Sequence, residues 1–106
     1  MMNALRTYDD YRKALKGDDR IIIKFYADWC PDCSIFNDFL PSILDEYRYV
    51  EWFELNRDEV PTAAEENDVD GIPDLLIFKK GALIARLGPH NAVTHERVRN
   101  FLKQNL

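Results

Sequence analysis

The chain has 106 residues, which is the length of one ordinary domain and leaves no room for a second. It carries 14 Lys and Arg against 19 Asp and Glu, a formal net charge of −5. That balance argues against a nucleic-acid-binding surface, because such a surface is basic, and it fits a monomeric cytosolic protein. The apolar share of 46% is that of a folded domain and far from a disordered composition.

Apolar runs in the chain are short. The longest have four residues, Leu75–Phe78 and Ala82–Ala85, whereas a membrane span needs about 20. Charged residues interrupt the N-terminal segment, which lacks the apolar core of a signal peptide. We therefore expect the protein to work in the reducing cytoplasm.

The N-terminal segment predicts a strand followed by a helix. Asn3–Arg6 forms the predicted strand, which we place at the edge of a sheet. A helix then begins at Thr7, because the spacing from Thr7 to Asp10 matches a capping box. Gly17 is the predicted end of that helix.

The next two elements are a buried strand and the longest helix. Ile21–Ala27 is nearly continuous in β-branched and aromatic residues, which predicts a central strand covered on both faces. Lys24 interrupts this run. Apolar residues at helical spacing predict a helix over Cys33–Tyr47, and Pro41 predicts a kink inside it.

The rest of the chain predicts three strands, two helices and a break at Gly71-Ile72-Pro73. Lys80-Gly81 is typical of a hairpin turn, and Thr94 is a candidate cap for the last helix. The predicted elements are the strands Tyr49–Asn56, Asp74–Lys79 and Ala82–Leu87, a helix Pro61–Asn67, and a final helix with Val98, Phe101 and Leu102 on one face.

The order β-α-β-α-β-α-β-β-α predicts an α/β fold with a central mixed β-sheet and helices on both faces. The alternation of strands and helices predicts parallel pairing, and the hairpin adds an antiparallel edge. We find no repeat and no linker, so residues 1–106 are predicted to form a single domain.

The strongest chemical signal is the segment Trp29-Cys30-Pro31-Asp32-Cys33, which contains the only two cysteines of the chain. Two cysteines three residues apart at the start of a helix are close enough to form a disulfide. The free amides and positive dipole of a helix N-terminus favour a thiolate on Cys30. Cys33, one turn further, is expected to be more buried and less reactive.

These residues resemble the active-site block of the thioredoxin family, and three further segments match in order and spacing. Gly71-Ile72-Pro73 is similar to the family's cis-proline loop, Phe78-Lys79-Lys80-Gly81 to its hairpin, and Gly88 to the glycine that flanks the substrate groove. The resemblance covers nearly the whole chain. It implies a thioredoxin fold in residues 1–106.

The resemblance also implies roles for individual residues. Cys30 would attack a client disulfide and Cys33 would resolve the mixed disulfide. Pro73 would be cis, so that the Ile72 backbone pairs with an extended client segment. The residues implied in substrate binding are Trp29, Pro31, Ile72, Pro73 and Gly88.

Two departures from the family pattern concern charges near the dithiol. Pro31-Asp32 stands where typical thioredoxins have Gly-Pro, and the charge of Asp32 is expected to disfavour a neighbouring thiolate. Lys24 stands where the family has a buried Asp, while Glu54 stands where it has a Lys. We predict that Lys24 and Glu54 form a reversed ion pair beneath Cys33, with Glu54 or a water as the base. The alternative is that Lys24 reaches solvent and Glu54 is an exposed strand residue.

A zinc site is the competing interpretation of the two cysteines. His90 and His95 would complete a Cys2His2 set, but the spacing from Cys33 to His90 far exceeds that of a zinc finger. We therefore predict no metal site. The chain also lacks a dinucleotide-binding fingerprint, so no cofactor is expected.

Two functions remain open from the sequence. The first is a thiol–disulfide oxidoreductase that reduces the disulfides of client proteins through Cys30 and Cys33. The resemblance implies that an NADPH-dependent thioredoxin reductase would recharge it. The second is a thioredoxin-fold adaptor or redox-sensing binding module with little general reductase activity, which the unusual Pro31-Asp32 pair and the missing buried Asp favour.

Overall fold

The computed structural model describes residues 2–106. Nine elements follow one another in the predicted order. They are β1 (Met2–Ala4), α1 (Tyr8–Ala14), β2 (Arg20–Tyr26), α2 (Pro31–Glu46), β3 (Glu51–Asn56), α3 (Pro61–Glu66), β4 (Asp74–Lys79), β5 (Ala82–Leu87) and α4 (His95–Asn105).

The five strands form one mixed sheet in the order β1-β3-β2-β4-β5. β3 pairs in parallel with both β1 and β2. β4 pairs antiparallel with β2, and β5 antiparallel with β4. The predicted mixed sheet is confirmed, but antiparallel pairing is not confined to the hairpin, because after α3 the chain runs in the opposite direction beside the central strand β2.

Two apolar layers cover the sheet, because successive residues of a strand face opposite sides. On one side Ile23 and Phe25 of β2 pack with Tyr11 of α1 and Ala63 of α3. On the other side Ile22, Phe36 of α2 and Leu102 of α4 pack together. The prediction of helices on both faces is thus confirmed. The dithiol segment follows the C-terminal end of the central strand β2.

The two predicted helix caps behave differently. The Thr7 hydroxyl accepts a hydrogen bond from the Asp10 amide at 3.0 Å, and the Asp10 carboxylate accepts one from the Arg6 amide at 3.2 Å, one residue before the predicted partner. Thr94 is the N-cap residue of α4, but within residues 2–106 its side chain makes no capping hydrogen bond. The first helix ends at Ala14, three residues before Gly17.

Several predicted boundaries shift by a few residues. β1 begins and ends earlier than Asn3–Arg6, and α2 begins at Pro31 rather than at Cys33. The helix continues through Pro41 to Glu46; because proline has no amide hydrogen, it cannot donate the helical hydrogen bond to the carbonyl of Asn37. β4 and β5 have the predicted bounds. The turn between them has positive φ at Lys80 (53°) and Gly81 (79°), as a two-residue hairpin turn of type I′ requires.

Candidate active site

The Cys30 and Cys33 side chains meet at the start of α2. Cys30 is the N-cap residue of the helix, and its sulfur accepts a hydrogen bond from the Cys33 amide at 3.2 Å. A cap of this kind directs an otherwise free helix amide at the sulfur. Both cysteines are free thiols and are almost equally buried, with 6% and 4% of their surface exposed. The expected contrast in their burial is therefore slight.

The loop before β4 comes directly against Cys30. The Cys30 thiol donates to the carbonyl of Ile72 at 3.5 Å, and the Ile72–Pro73 peptide bond is cis, as the resemblance to the thioredoxin family implied. Gly71 packs so closely on the ring of Pro89 that an added Cβ would lie 2.6 Å from its Cγ atom. This contact brings the loop after β5, which contains Gly88, alongside the cis-proline loop.

The Cys33 thiol is held in its protonated form. Burial and the adjoining Cys30 thiol raise the pKa of Cys33 to about 12, while a backbone hydrogen bond from Ala27 and the charge of Lys24 lower it. Burial is the largest of these effects, because a thiolate loses its hydration in an apolar setting. Cys33 is consequently a poor nucleophile at neutral pH until its surroundings change.

Lys24 lies inside the protein beneath this helix turn, with 2% of its surface exposed. Its ammonium donates to Asn37 Oδ1 at 2.9 Å and lies 3.8 Å from Glu54 Oε2. The rings of Tyr26 and Phe36 approach the ammonium, with centroids at 5.1 and 5.5 Å. Burial lowers the pKa of Lys24, whereas the charges of Glu54 and of the two cysteines raise it.

The contact between Lys24 and Glu54 decides between the two interpretations of this pair. Lys24 does not reach solvent, and its ammonium faces the Glu54 carboxylate, whose side chain is 33% exposed. The two residues are also direct partners across the parallel strands β2 and β3. The pair is therefore present, with the cation buried and the carboxylate at the boundary with solvent.

The side chains predicted to bind substrate are unequally exposed. Trp29 has 64% of its surface exposed, and its indole N–H donates to the Asp58 carboxylate at 2.7 Å. Pro31 is exposed, whereas Ile72 and Pro73 are buried. Gly88 has open space where a Cβ would lie. Asp32 is half-buried in the first turn of α2.

Sequence reasoning missed Asn37, Asp74 and Arg86, three polar residues around the site. Asn37, one turn beyond Cys33, holds the Lys24 ammonium. Asp74, the residue after Pro73, is buried and pairs with Arg86 at 2.6 Å. A charged residue opening the otherwise apolar run of β4 was the available signal for Asp74; nothing in the spacing singled out Asn37.

No metal centre accompanies these thiols in residues 2–106, where no group of three or more His, Cys, Asp or Glu is arranged to hold an ion. His95, one of the two histidines weighed as zinc ligands, stacks on Phe39 with ring centroids 5.0 Å apart. No helix within the same range is long and apolar enough to cross a membrane.

Comparison with known sequences finds similarity along almost the whole chain. The family model described as Thioredoxin matches residues 3–104. Thioredoxin-1 of Saccharomyces cerevisiae is 28% identical over 87 residues, which are 82% of this chain and 84% of that protein. Thioredoxin-3, mitochondrial, of the same yeast is 29% identical over 93 residues, 88% of this chain and 73% of that protein.

Solved structures with the same fold cover the chain from end to end. Fasciola hepatica thioredoxin superposes with a TM-score of 0.87 at 21% identity, covering 99% of this chain and 100% of that one. Plasmodium falciparum thioredoxin superposes with a TM-score of 0.89 at 15% identity and the same coverage. At these identities the likeness shows the arrangement of strands and helices alone.

Proposed function

Because this chain belongs to the thioredoxin family and is a thiol–disulfide oxidoreductase, we propose that it reduces disulfides in client proteins, with Cys30 as nucleophile and Cys33 as resolving thiol. One observation carries the proposal. The Cys30 sulfur touches both the Cys33 amide and the Ile72 carbonyl. The nucleophile therefore lies between its resolving partner and the loop against which a client backbone would lie.

The cycle has two exchanges that balance in electrons and protons. The Cys30 thiolate attacks one sulfur of the client disulfide, forming a mixed disulfide and releasing the other sulfur as a thiolate that takes a proton. The Cys33 thiolate then attacks the Cys30 sulfur, releasing the second client thiol and closing the Cys30–Cys33 disulfide. The client gains two electrons and two protons, and the dithiol loses them.

The mixed disulfide itself makes Cys33 easier to ionise. In the free dithiol, Cys30 raises the pKa of Cys33 through a hydrogen bond and, when Cys30 is ionised, through its negative charge. When Cys30 is bound to the client sulfur, it carries neither a proton nor a charge, so both effects disappear. The helix dipole and the charge of Lys24, which favour a thiolate, remain.

Client binding would use the surface around Cys30. Trp29 offers an exposed ring fixed by its bond to Asp58, and the open side of Gly88 leaves room for a chain to approach. The cis-proline loop lies between them and would pair with an extended client strand. Pro31 is at the exposed rim, and Asp32 would tune the thiols by its charge.

We also propose a setting for the cycle. A thioredoxin reductase that draws electrons from NADPH would return the disulfide to the dithiol, the protein would act as a monomer, and the compartment would be the cytoplasm. The net charge of −5 supports a dispersed monomer. Relatives include proteins named as mitochondrial, so cell fractionation is the test of location.

The experiment is reduction of insulin disulfides coupled to NADPH oxidation by a thioredoxin reductase. We compare the wild-type protein with Cys30→Ser, Cys33→Ser and Ser34→Ala, the last being a matched change at an exposed helix position. Turnover should be lost in Cys30→Ser and retained in Ser34→Ala. Cys33→Ser should accumulate a covalent mixed disulfide with the client, visible by non-reducing electrophoresis.

The adaptor function makes the opposite prediction for the same assay. An adaptor would give no turnover with the wild-type protein, although the protein is folded and its thiols react with a small disulfide. It would also bind its partner equally well as wild type and as Cys30→Ser. That combination would refute the proposed reductase.

A further inference from the structure

The buried ammonium of Lys24 is hydrogen-bonded to a residue on the face of α2 that carries Cys33. Its hydrogen-bond acceptor, Asn37, is four residues after Cys33 on α2. Residues four apart on a helix are neighbours, with Cβ atoms about 5–6 Å apart. The bond to Asn37 therefore places a positive charge within one helical turn of the resolving thiol.

We propose that Lys24, held in place by Asn37, is the electrostatic positioning residue of the resolution step, stabilising the Cys33 thiolate that attacks the mixed disulfide. The inference rests on the proposed reductase function and names a group for one of its steps. Neither residue needs to touch the reacting sulfurs. Lys24 acts through its charge and Asn37 through the place it gives that charge.

The surroundings of the ammonium have two opposing effects: burial lowers the pKa of Lys24, whereas its neighbours stabilise the charged form. β2 and α2 shield it from water, and a charge interacts more strongly at a given distance in such a medium. Glu54 at 3.8 Å and the faces of two aromatic rings stabilise the cation. The ionisable groups acting on it are Glu54, Cys33 and Cys30.

Glu54 then supports Lys24 and is not itself the base. Its carboxylate is in contact with the ammonium. The Glu54 side chain is one-third exposed, whereas the Lys24 side chain is almost completely buried. The Cys33 proton would leave to the departing client thiolate or to water, which needs no protein carboxylate. This assignment differs from the one that the sequence suggested. If Glu54 were the base, Glu54→Gln would slow the attack by Cys33, whereas the present assignment predicts no such slowing.

The test separates the two exchanges with dithiobis-nitrobenzoate, an aromatic disulfide that releases a coloured thiolate at each step. The first release reports attack by Cys30, and the second reports resolution by Cys33. Both rates are measured by stopped flow across pH in the wild type, Lys24→Met, Asn37→Ala and Glu54→Gln. Lys79→Met is the matched control. Lys79 is exposed, and as the last residue of β4 it pairs with Arg20, at the end of β2 that lies away from the dithiol.

In Lys24→Met the inflection of the second release should move up by about one pH unit, the lower end of what a nearby opposite charge supplies. Below the inflection, ~10-fold less thiolate is partly offset by its greater nucleophilicity, so the release slows ~3-fold. Asn37→Ala should shift the inflection in the same direction by less. The first release should shift less than the second, because the charge interaction of Lys24 with Cys30 is smaller than that with Cys33. Both releases of Lys79→Met should be unchanged.

Two results would overturn the proposal. One is a second release in Lys24→Met that superimposes on the wild type at every pH. The other is a slowed second release in Glu54→Gln with Lys24→Met unaffected, which would make Glu54 the base. If Lys24→Met does not fold, the exposed Asn37→Ala variant decides alone. A wild type that reduces neither this reagent nor insulin would instead refute the proposed function.

Discussion

Asp74 and Arg86 form an ion pair immediately behind the cis-proline loop, in which the carboxylate is buried and the guanidinium is partly exposed. The Asp74 side chain is 4% exposed and the Arg86 side chain 34%, with 2.6 Å between Nη2 and Oδ2. Arg86 also donates to the Asn67 carbonyl at 2.8 Å, so one guanidinium ties β4 and β5 to the end of α3. Asp74 Oδ1 is buried and has no hydrogen-bond partner within residues 2–106. Arg86 is therefore the main compensation for this carboxylate.

Arg86→Met should destabilise the fold strongly, because it leaves a buried charge without its partner. Loss of one member of a buried pair costs about 3–5 kcal/mol, and we expect a value near the lower end because the carboxylate escapes part of the cost by taking up a proton. Asp74→Asn should cost less than half as much, since the remaining guanidinium reaches solvent. The exposed pair Arg99–Glu46 is the control, and Arg99→Met should cost no more than about 1 kcal/mol.

The loss in Arg86→Met should also depend on pH. Burial raises the pKa of Asp74 above its ordinary value of 3.8, and Arg86 opposes this rise. A carboxyl group whose pKa is higher in the fold stabilises it at low pH, and that contribution disappears as the pH rises through the folded pKa. Without Arg86 the folded pKa climbs further. The variant should therefore be closest to the wild type in acid and furthest from it at neutral pH.

Urea unfolding followed by circular dichroism measures both effects. The midpoint should fall with no change in the m-value, which reports the surface exposed on unfolding. Repeating the titration near pH 4 and at neutral pH gives the difference between the two. The reasoning fails if Arg86→Met lies within about 1 kcal/mol of the wild type at neutral pH, or if Asp74→Asn costs as much as Arg86→Met.

Two further pairs of variants test local features of the fold by thermal unfolding. Thr7→Ala should cost about 1 kcal/mol because it removes a formed cap, whereas Thr94→Ala should cost less because that side chain makes no capping bond within residues 2–106; equal losses would contradict the assignment. Gly71→Ala should cost about 1–3 kcal/mol because its Cβ would overlap Pro89. Gly17→Ala, with open space around it, should be neutral or slightly stabilising, and a loss there equal to that of Gly71→Ala would show that space is not the cause.

The strands β4 and β5 could be predicted to the residue, because two apolar runs flank a turn whose residues are suited to positive φ. The start of α2 was placed two residues late for a reason that is equally local. Caps are usually recognised as Ser, Thr, Asp or Asn, and here a cysteine holds that position. Pro31, at the first helical position, was the better signal.

The contact between Asp74 and Arg86 could not be predicted from the sequence, because it depends on how β4 and β5 pair. Arg86 lies opposite Leu76 of β4, and the ladder shifts register between Ile77 and Phe78. One residue of slip would turn Arg86 to the other face, so its meeting with Asp74 depends on an irregularity that no local pattern marks. The contact of Lys24 with Glu54 was predictable for the converse reason, since β2 and β3 run parallel in unbroken register.

The position of Lys24 is difficult to explain by stability alone. On its own side of the sheet, Ile22 of β2 and Phe36 of α2 are fully buried apolar side chains, and an apolar residue in place of Lys24 would pack with them without the desolvation that an ammonium suffers. Its contact with Glu54, at 3.8 Å, is longer than a charge-assisted hydrogen bond, so the pair is a weak source of folding energy. What the ammonium supplies in exchange is a fixed positive charge beside a thiol whose burial opposes ionisation. On the role proposed for Lys24, the strand accepts a less stable core at a position from which a positive charge lowers the pKa of Cys33.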